Sequence, residues 1–150
     1  MKEIYYTYNN EAIASCVMIQ VLHEVKSIDI ARSCLLLPFL LDDRTVNYLQ
    51  SVKSEDLTLE SFINNRPHLF TTFNKRFLAL MPITINALMM LSKSNQIEIA
   101  KTISLKQAIQ LDKIAMGNRF NEIEKILSAF LIMMEKHNTT QLYQLLNIQL

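Results

Sequence analysis

The sequence predicts a mainly α-helical domain built around a winged helix-turn-helix with one small β-hairpin. A single glycine, Gly117, and three prolines leave little room for the tight turns of positive φ that an all-β fold needs. Apolar residues recur at spacings of three and four through most of the chain, as one face of a helix requires. Alternation is clear in one place only, Ile97-Glu98-Ile99 and Ile103-Ser104-Leu105, separated by Ala100-Lys101-Thr102.

The elements follow in order. Asn9 or Asn10 caps a first helix whose Ile13, Val17, Val21 and Val25 repeat every four positions. Asp29 caps a second, Ile30 to Leu41, apolar nearly all round and kinked or shortened by Pro38. Asp42 and Asp43 cap Arg44 to Val52, and a polar connection over Lys53–Asp56 leads to a short helix, Leu57 to Asn65. Pro67 fits the first turn of a helix running to Leu80, with Leu69, Phe70, Phe73, Phe77 and Leu80 on one face. Pro82 fits the first turn of another, with Ile85, Leu88, Met89 and Leu91 inward and an end near Asn95. After the hairpin come helices over Lys106–Met116 and Asn121–Lys136, and a last amphipathic piece, Thr140 to Ile148. Residues 57–106 thus run helix, helix, helix, hairpin, the order of a winged helix, flanked by N- and C-terminal helices within one domain spanning 1–150.

The chain of 150 residues is half apolar and 19% charged, a globular composition large enough for one core. Cys16 and Cys34 lie in apolar stretches without a C-x-x-C pattern, which excludes a disulfide scaffold. The start, Met1-Lys2-Glu3-Ile4-Tyr5-Tyr6, does not read as a signal peptide. The longest apolar run, Cys34 to Leu41, has eight residues, too few to span a bilayer, so the cytoplasm is the expected address, with no membrane partner.

A search for chemistry predicts no catalytic residues, no cofactor and no metal. One glycine cannot build a phosphate-cradling loop. His23, His68 and His137 are far apart and lack ligand spacing. Glu98 and Lys101 are separated by three, one more than the E-x-K spacing that keeps both side chains on one face of a strand. Asp42-Asp43 and Glu55-Asp56 stand where helices start and read as caps. Both cysteines read as core packing, and the eight methionines, notably Met89-Met90 and Met133-Met134, read as core filler more than as an adaptable binding surface.

Charge is distributed unevenly. Residues 1–61 carry five Lys or Arg against nine acids, residues 62–106 six against one, and residues 107–150 four of each. Arg66, Lys75, Arg76, Lys93, Lys101 and Lys106 therefore form a basic segment inside the expected winged helix and are candidate DNA phosphate contacts. The helix after Pro82 is short of outward Arg, Asn and Gln, so base readout by a free-standing DNA-binding regulator is poorly supported. At the chain ends, Tyr5, Tyr6 and Tyr8, and Leu142, Tyr143, Leu145, Leu146 and Ile148, present more apolar surface than ends normally leave exposed and are candidate partner contacts, with the last helix equally suited to capping the core of its own chain.

Four stretches carry a family resemblance. They are Tyr8-Asn-Asn-Glu-Ala-Ile-Ala14; Leu36-Leu-Pro-Phe-Leu-Leu41 with Arg44 following; Phe73-x-x-Arg76-x-x-x-Leu80-x-Pro82-x-Thr84-x-x-Ala87-Leu88; and Met116-Gly-Asn-Arg-Phe120 with Leu142-Tyr-Gln-Leu-Leu-Asn-Ile148. In order and spacing the chain resembles the middle component of prokaryotic three-component ABC ATPase systems, the group that includes Lamassu-type antiphage defences. It departs from that pattern at Glu11, Arg119 and Asn147, where the family has proline, a larger aromatic and glycine. The resemblance implies a non-enzymatic adaptor between an SMC- or Rad50-like ABC ATPase and an effector, often a nuclease.

Overall fold

The computed structural model describes residues 9–107, 111 and 113–150. Helix α1, Glu11–Val25, begins where the Asn10 side chain accepts hydrogen bonds from the N–H groups of Ala12 (3.0 Å) and Ile13 (3.3 Å). It ends at Lys26, whose φ of 67° breaks the helix while its N–H still reaches the Leu22 carbonyl. The chain then forms a strand absent from the sequence reading, β1, Ser27–Asp29.

Asp29 caps α2, Ile30–Ser33, accepting from the Arg32 N–H at 2.7 Å. The long helix expected over Ile30–Leu41 is instead two pieces, because α3, Leu36–Leu40, starts afresh after Cys34 and Leu35. The break precedes Pro38 rather than coinciding with it. Placed third in α3, Pro38 falls in the first turn, where a helical N–H has no intrahelical partner to lose.

Helix α4, Asp43–Ser51, is capped by Asp42, which accepts from the Thr45 N–H (3.3 Å) and hydroxyl (2.7 Å). After a 3-10 turn at Ser54–Asp56, a Thr58/Ser61 capping box opens α5, Leu59–Asn65. Pro67 occupies the first turn of α6, Pro67–Thr71, as its position predicts.

The largest departure is α7, which runs unbroken over Phe73–Lys93 with Pro82 in its interior. The expected turn before Pro82 does not form, so the three helices that precede the hairpin are α5, α6 and α7, with the third starting at Phe73 rather than at Pro82, and the helix-turn-helix drawn across Leu80–Pro82 is absent. An interior proline ordinarily costs about 3 kcal/mol, chiefly through the lost hydrogen bond to the residue four back. Both Leu78 and Pro82 face outward, so water can take up the Leu78 carbonyl. One continuous helix also fixes one phase. Phe73, Phe77, Leu80, Thr84, Ala87, Leu88 and Leu91 are buried, and Ile85 and Met89, expected inward, are exposed.

The hairpin forms as expected from β2, Ile97–Ile99, and β3, Thr102–Leu105, with Ile97 opposite Leu105 and Ile99 opposite Ile103. It is part of a larger antiparallel sheet, ordered β1-β3-β2, in which Ile28 pairs with Ile103. The expected Lys106–Met116 helix falls mostly outside the described residues, and Lys106 and Gln107 are not helical. Helix α8, Lys113–Glu135, carries the predicted apolar face, with Ile123, Ile126, Leu127, Phe130, Leu131 and Met134 buried. An Asn138/Gln141 capping box opens the last helix, α9, Thr139–Leu145.

The core gathers around α1, which packs on both α7 and α8, and around Phe39 of α3. The Phe39 ring lies 4.7 Å from Phe73, 5.2 Å from Phe130, 6.2 Å from Phe70 and 6.4 Å from Phe62, centroid to centroid. It therefore joins α5, α6, α7 and α8 at one point.

Gly117 stands at φ 80° and ψ 178°, where a kink divides α8 into two helical pieces, a conformation essentially confined to glycine, and nothing lies within 4 Å of where a Cβ would be. Its replacement by alanine is expected to cost about 1–3 kcal/mol through backbone strain alone. A urea midpoint equal to that of the wild type would contradict the assignment.

Candidate functional site

Three arginines tie separate elements together through backbone carbonyls. Arg76 of α7 donates from Nε to the Pro38 carbonyl (3.3 Å) and from Nη1 to the Leu69 carbonyl (2.9 Å) and the Thr72 hydroxyl (3.0 Å), while its guanidinium carbon lies 5.2 Å from the Phe73 ring centroid. Arg119 of α8 donates to the Leu41 carbonyl (2.9 Å) and to Asn9 Oδ1 (2.5 Å), with Asp43 at 3.5 Å. Arg32 donates to the Met134 and His137 carbonyls (3.2 and 2.5 Å) and to the Thr139 hydroxyl (3.2 Å). Each closes a helix end whose last carbonyls have no intrahelical donor, and a planar fork can reach two acceptors at once.

Arg76, a candidate phosphate contact by sequence, is thus engaged within the fold. Arg76→Ala is expected to lower stability by about 2–3 kcal/mol, since it strips charged donors from the Leu69 and Pro38 carbonyls. Arg76→Lys should recover only part of this, because one ammonium cannot reproduce the fork. Denaturation curves in urea read the result, and an unchanged Arg76→Ala midpoint would refute the clamp.

The remaining basic residues do not converge. Arg66, between α5 and α6, lies over the Tyr48 ring at 5.1 Å from its centroid and donates to the Asn65 carbonyl. Lys75 and Lys93 stand at opposite ends of α7. Lys101 is in the hairpin turn, and Lys106 lies at the hairpin's other end, its N–H bonded to the Gln96 carbonyl at 2.9 Å. All five are exposed.

The last helix lays its inner side on this chain's own core. Leu142 (0% exposed) and Leu146 (2%) are buried in this chain's own core, and Leu145 is 39% exposed. Tyr143 is half-buried, donates to the Ala31 carbonyl at 2.6 Å and meets Phe77 edge-on, with burial pushing its phenol up to about 12. Ile148 packs against the core as well. A short amphipathic helix at a chain end buries its apolar face in the nearest groove, here beside α2 and α7. Tyr5, Tyr6 and Tyr8 lie outside the described residues.

The outer face of α7 is an exposed apolar surface of which sequence reasoning singled out only Met89-Met90: Leu78 (49% exposed), Ile85 (51%), Met89 (47%) and Met90 (55%), with exposed Pro82 among them. Their spacing of three and four was visible, but placing a helix start at Pro82 assigned half of them to the core. A shallow cleft of about 430 Å³ opens at the end of this face, lined by Glu11, Asn86, Met89, Met90 and Lys93. A second, of about 650 Å³, lies between α4 and α8 and includes exposed Ile132.

Among the described residues, no group of three or more His, Cys, Asp or Glu side chains is placed to hold a metal ion. His137 Nε2 meets Glu60 at 2.7 Å. Burial raises the thiol pKa of both Cys16 and Cys34, which disfavours the reactive thiolate. Among the described residues no helix is long and apolar enough to cross a membrane.

Fold and surface together define a small, mainly helical protein whose distinctive exterior is an apolar helix face. The chain belongs to the ABC-three component (ABC-3C) system Middle Component 3 family, whose model matches residues 2–150. Membership in a three-component system implies partner subunits. No curated protein and no solved structure matches the chain.

Proposed function

We propose that this chain is a non-catalytic adaptor of an antiviral or antiplasmid defence complex, of the Lamassu type, that bridges an SMC- or Rad50-like ABC ATPase and an effector nuclease. The observation that carries the reading is the outer face of α7. Four large apolar side chains are half exposed there, a pattern suited to protein contact and unsuited to reading bases, which calls for Arg, Asn or Gln at the same positions. Membership in the middle-component family supports the same role. So does the packing of α1 against both α7 and α8, which leaves exposed apolar surface on two separate helices.

Lys93 and Lys106, where α7 meets the hairpin, and Lys101 in the hairpin turn are exposed and suit scattered, sequence-independent phosphate contacts within such a complex. The alternative of a free-standing winged-helix regulator draws less support, since the helix preceding the hairpin presents Ile85, Met89 and Met90 where base-reading groups would be needed.

Co-expression with the two other components of its system, followed by affinity purification through a tag on this chain, tests the adaptor reading. Retention of both components through gel filtration is the expected result. A chain that elutes alone, or that forms a dimer binding one DNA sequence tightly, would overturn it.

A further inference from the structure

The outer face of α7 has a charge arrangement as well as an apolar one. Helix α7 contains no Asp or Glu. Its two exposed lysines, Lys75 and Lys93, are eighteen positions apart, which is about five full turns, so they lie on one line about 27 Å apart with Leu78, Pro82, Ile85 and Met89 between them. Among the described residues, the carboxylate beside this face is Glu11 of α1, which accepts a hydrogen bond from Asn86 at 3.1 Å and lines the same cleft as Lys93.

Resting on the adaptor reading, we propose that this face docks an amphipathic helix of a partner component that carries carboxylates at both ends of its apolar stripe. The apolar anchors recur at intervals of three and four, as a helix laid along a helix requires. Pairing with a second copy of this chain is disfavoured by the lysines themselves. An antiparallel pair would set Lys75 of each copy against Lys93 of the other, and a parallel pair would set each lysine against its equivalent, placing like charge on like charge at both ends. Acidic groups about five turns apart on the partner turn both ends into attractive contacts and fix register along the stripe. The half-exposed Met89 and Met90 add an adaptable surface at one end.

Two double variants test this in the co-purified complex. Ile85→Glu with Met89→Glu introduces charge at half-exposed positions and is expected to leave the melting temperature of the isolated chain unchanged, while weakening association with one component by about tenfold or more. Lys75→Glu with Lys93→Glu is expected to weaken it too, and wild-type association should fall between about 0.1 and about 0.5 M NaCl. A photo-cross-linking p-benzoylphenylalanine at position 85 should label a helix of that component with Asp or Glu at both ends.

Both variants co-purifying as the wild type does would overturn the docking site and leave the adaptor reading standing. Cross-links only between copies of this chain, or to a segment without acidic ends, would overturn the proposed occupant. Sedimentation of the chain with anionic lipid vesicles, lost in the Ile85→Glu variant, would reassign the face to a membrane surface. A wild-type chain that retains neither component would remove the adaptor reading and this inference with it.

Discussion

Phe39→Ala is expected to destabilise the protein by about 3–5 kcal/mol, the range for deleting a fully enclosed aromatic ring. The ring is completely buried and its neighbours come from α5, α6, α7 and α8, so no single element can shift to fill the space without disturbing the others. Phe39 also sits in the short helix α3, five residues held by Arg76 at the Pro38 carbonyl and followed by Leu41, held by Arg119. Clamped at two points, that segment has little freedom to collapse inward, which places the cost toward the upper end of the range. For a domain of this size each kcal/mol lowers the melting temperature by about 2–4 °C. A thermal scan by circular dichroism should therefore show a fall of about 10 °C or more. A shift of about 2 °C or less would mean that the aromatic cluster relaxes around the cavity and is not the junction described.

Capping chemistry was legible because it is local. Asn10, Asp29, Asp42 and Pro67 each occupy the helix start that their side chains predict. The hairpin was legible because alternation is local too. Strand β1 was not, since three residues show no period and their pairing with β3 depends on residues some seventy-five positions away. Pro82 misled because a proline ordinarily marks a helix boundary; burial of Leu80, Ile83, Thr84 and Ala87 on both sides of it held one helix together. That single error reversed the facing of Ile85 and Met89 and concealed the apolar surface of α7. The arginine clamps were illegible for a different reason: their acceptors are backbone carbonyls, which carry no residue identity. Arg32 could have been suspected as a charge beside the apolar run Cys34–Leu41. Asn147, just past the end of α9, stands at φ 55°, a left-handed conformation that asparagine accepts more readily than most residues.

Deleting Gln141 to Leu150 is expected to unfold the chain or leave it barely folded, rather than remove a dispensable partner contact. The deletion exposes the groove filled by Leu142 and Leu146, each worth about 1.5–3 kcal/mol of burial. It also removes the Tyr143 hydroxyl from the Ala31 carbonyl and its ring from Phe77, and takes the Gln141 half of the capping box from Asn138. The total, about 5 kcal/mol or more, is comparable with the whole stability of many domains. Loss of the cooperative melting transition, with binding of an apolar dye at 25 °C, is the expected observation. Leu145→Glu separates core from surface on the same helix: Leu145 is 39% exposed, so this variant should melt as the wild type does. If Leu145→Glu stays folded but loses a partner component, α9 contributes to an interface through its outer side while its inner side holds the fold. If the truncated chain instead melts at the wild-type temperature, Leu142 and Leu146 are not part of the core, and the end of the chain is free to serve a partner as its sequence first suggested.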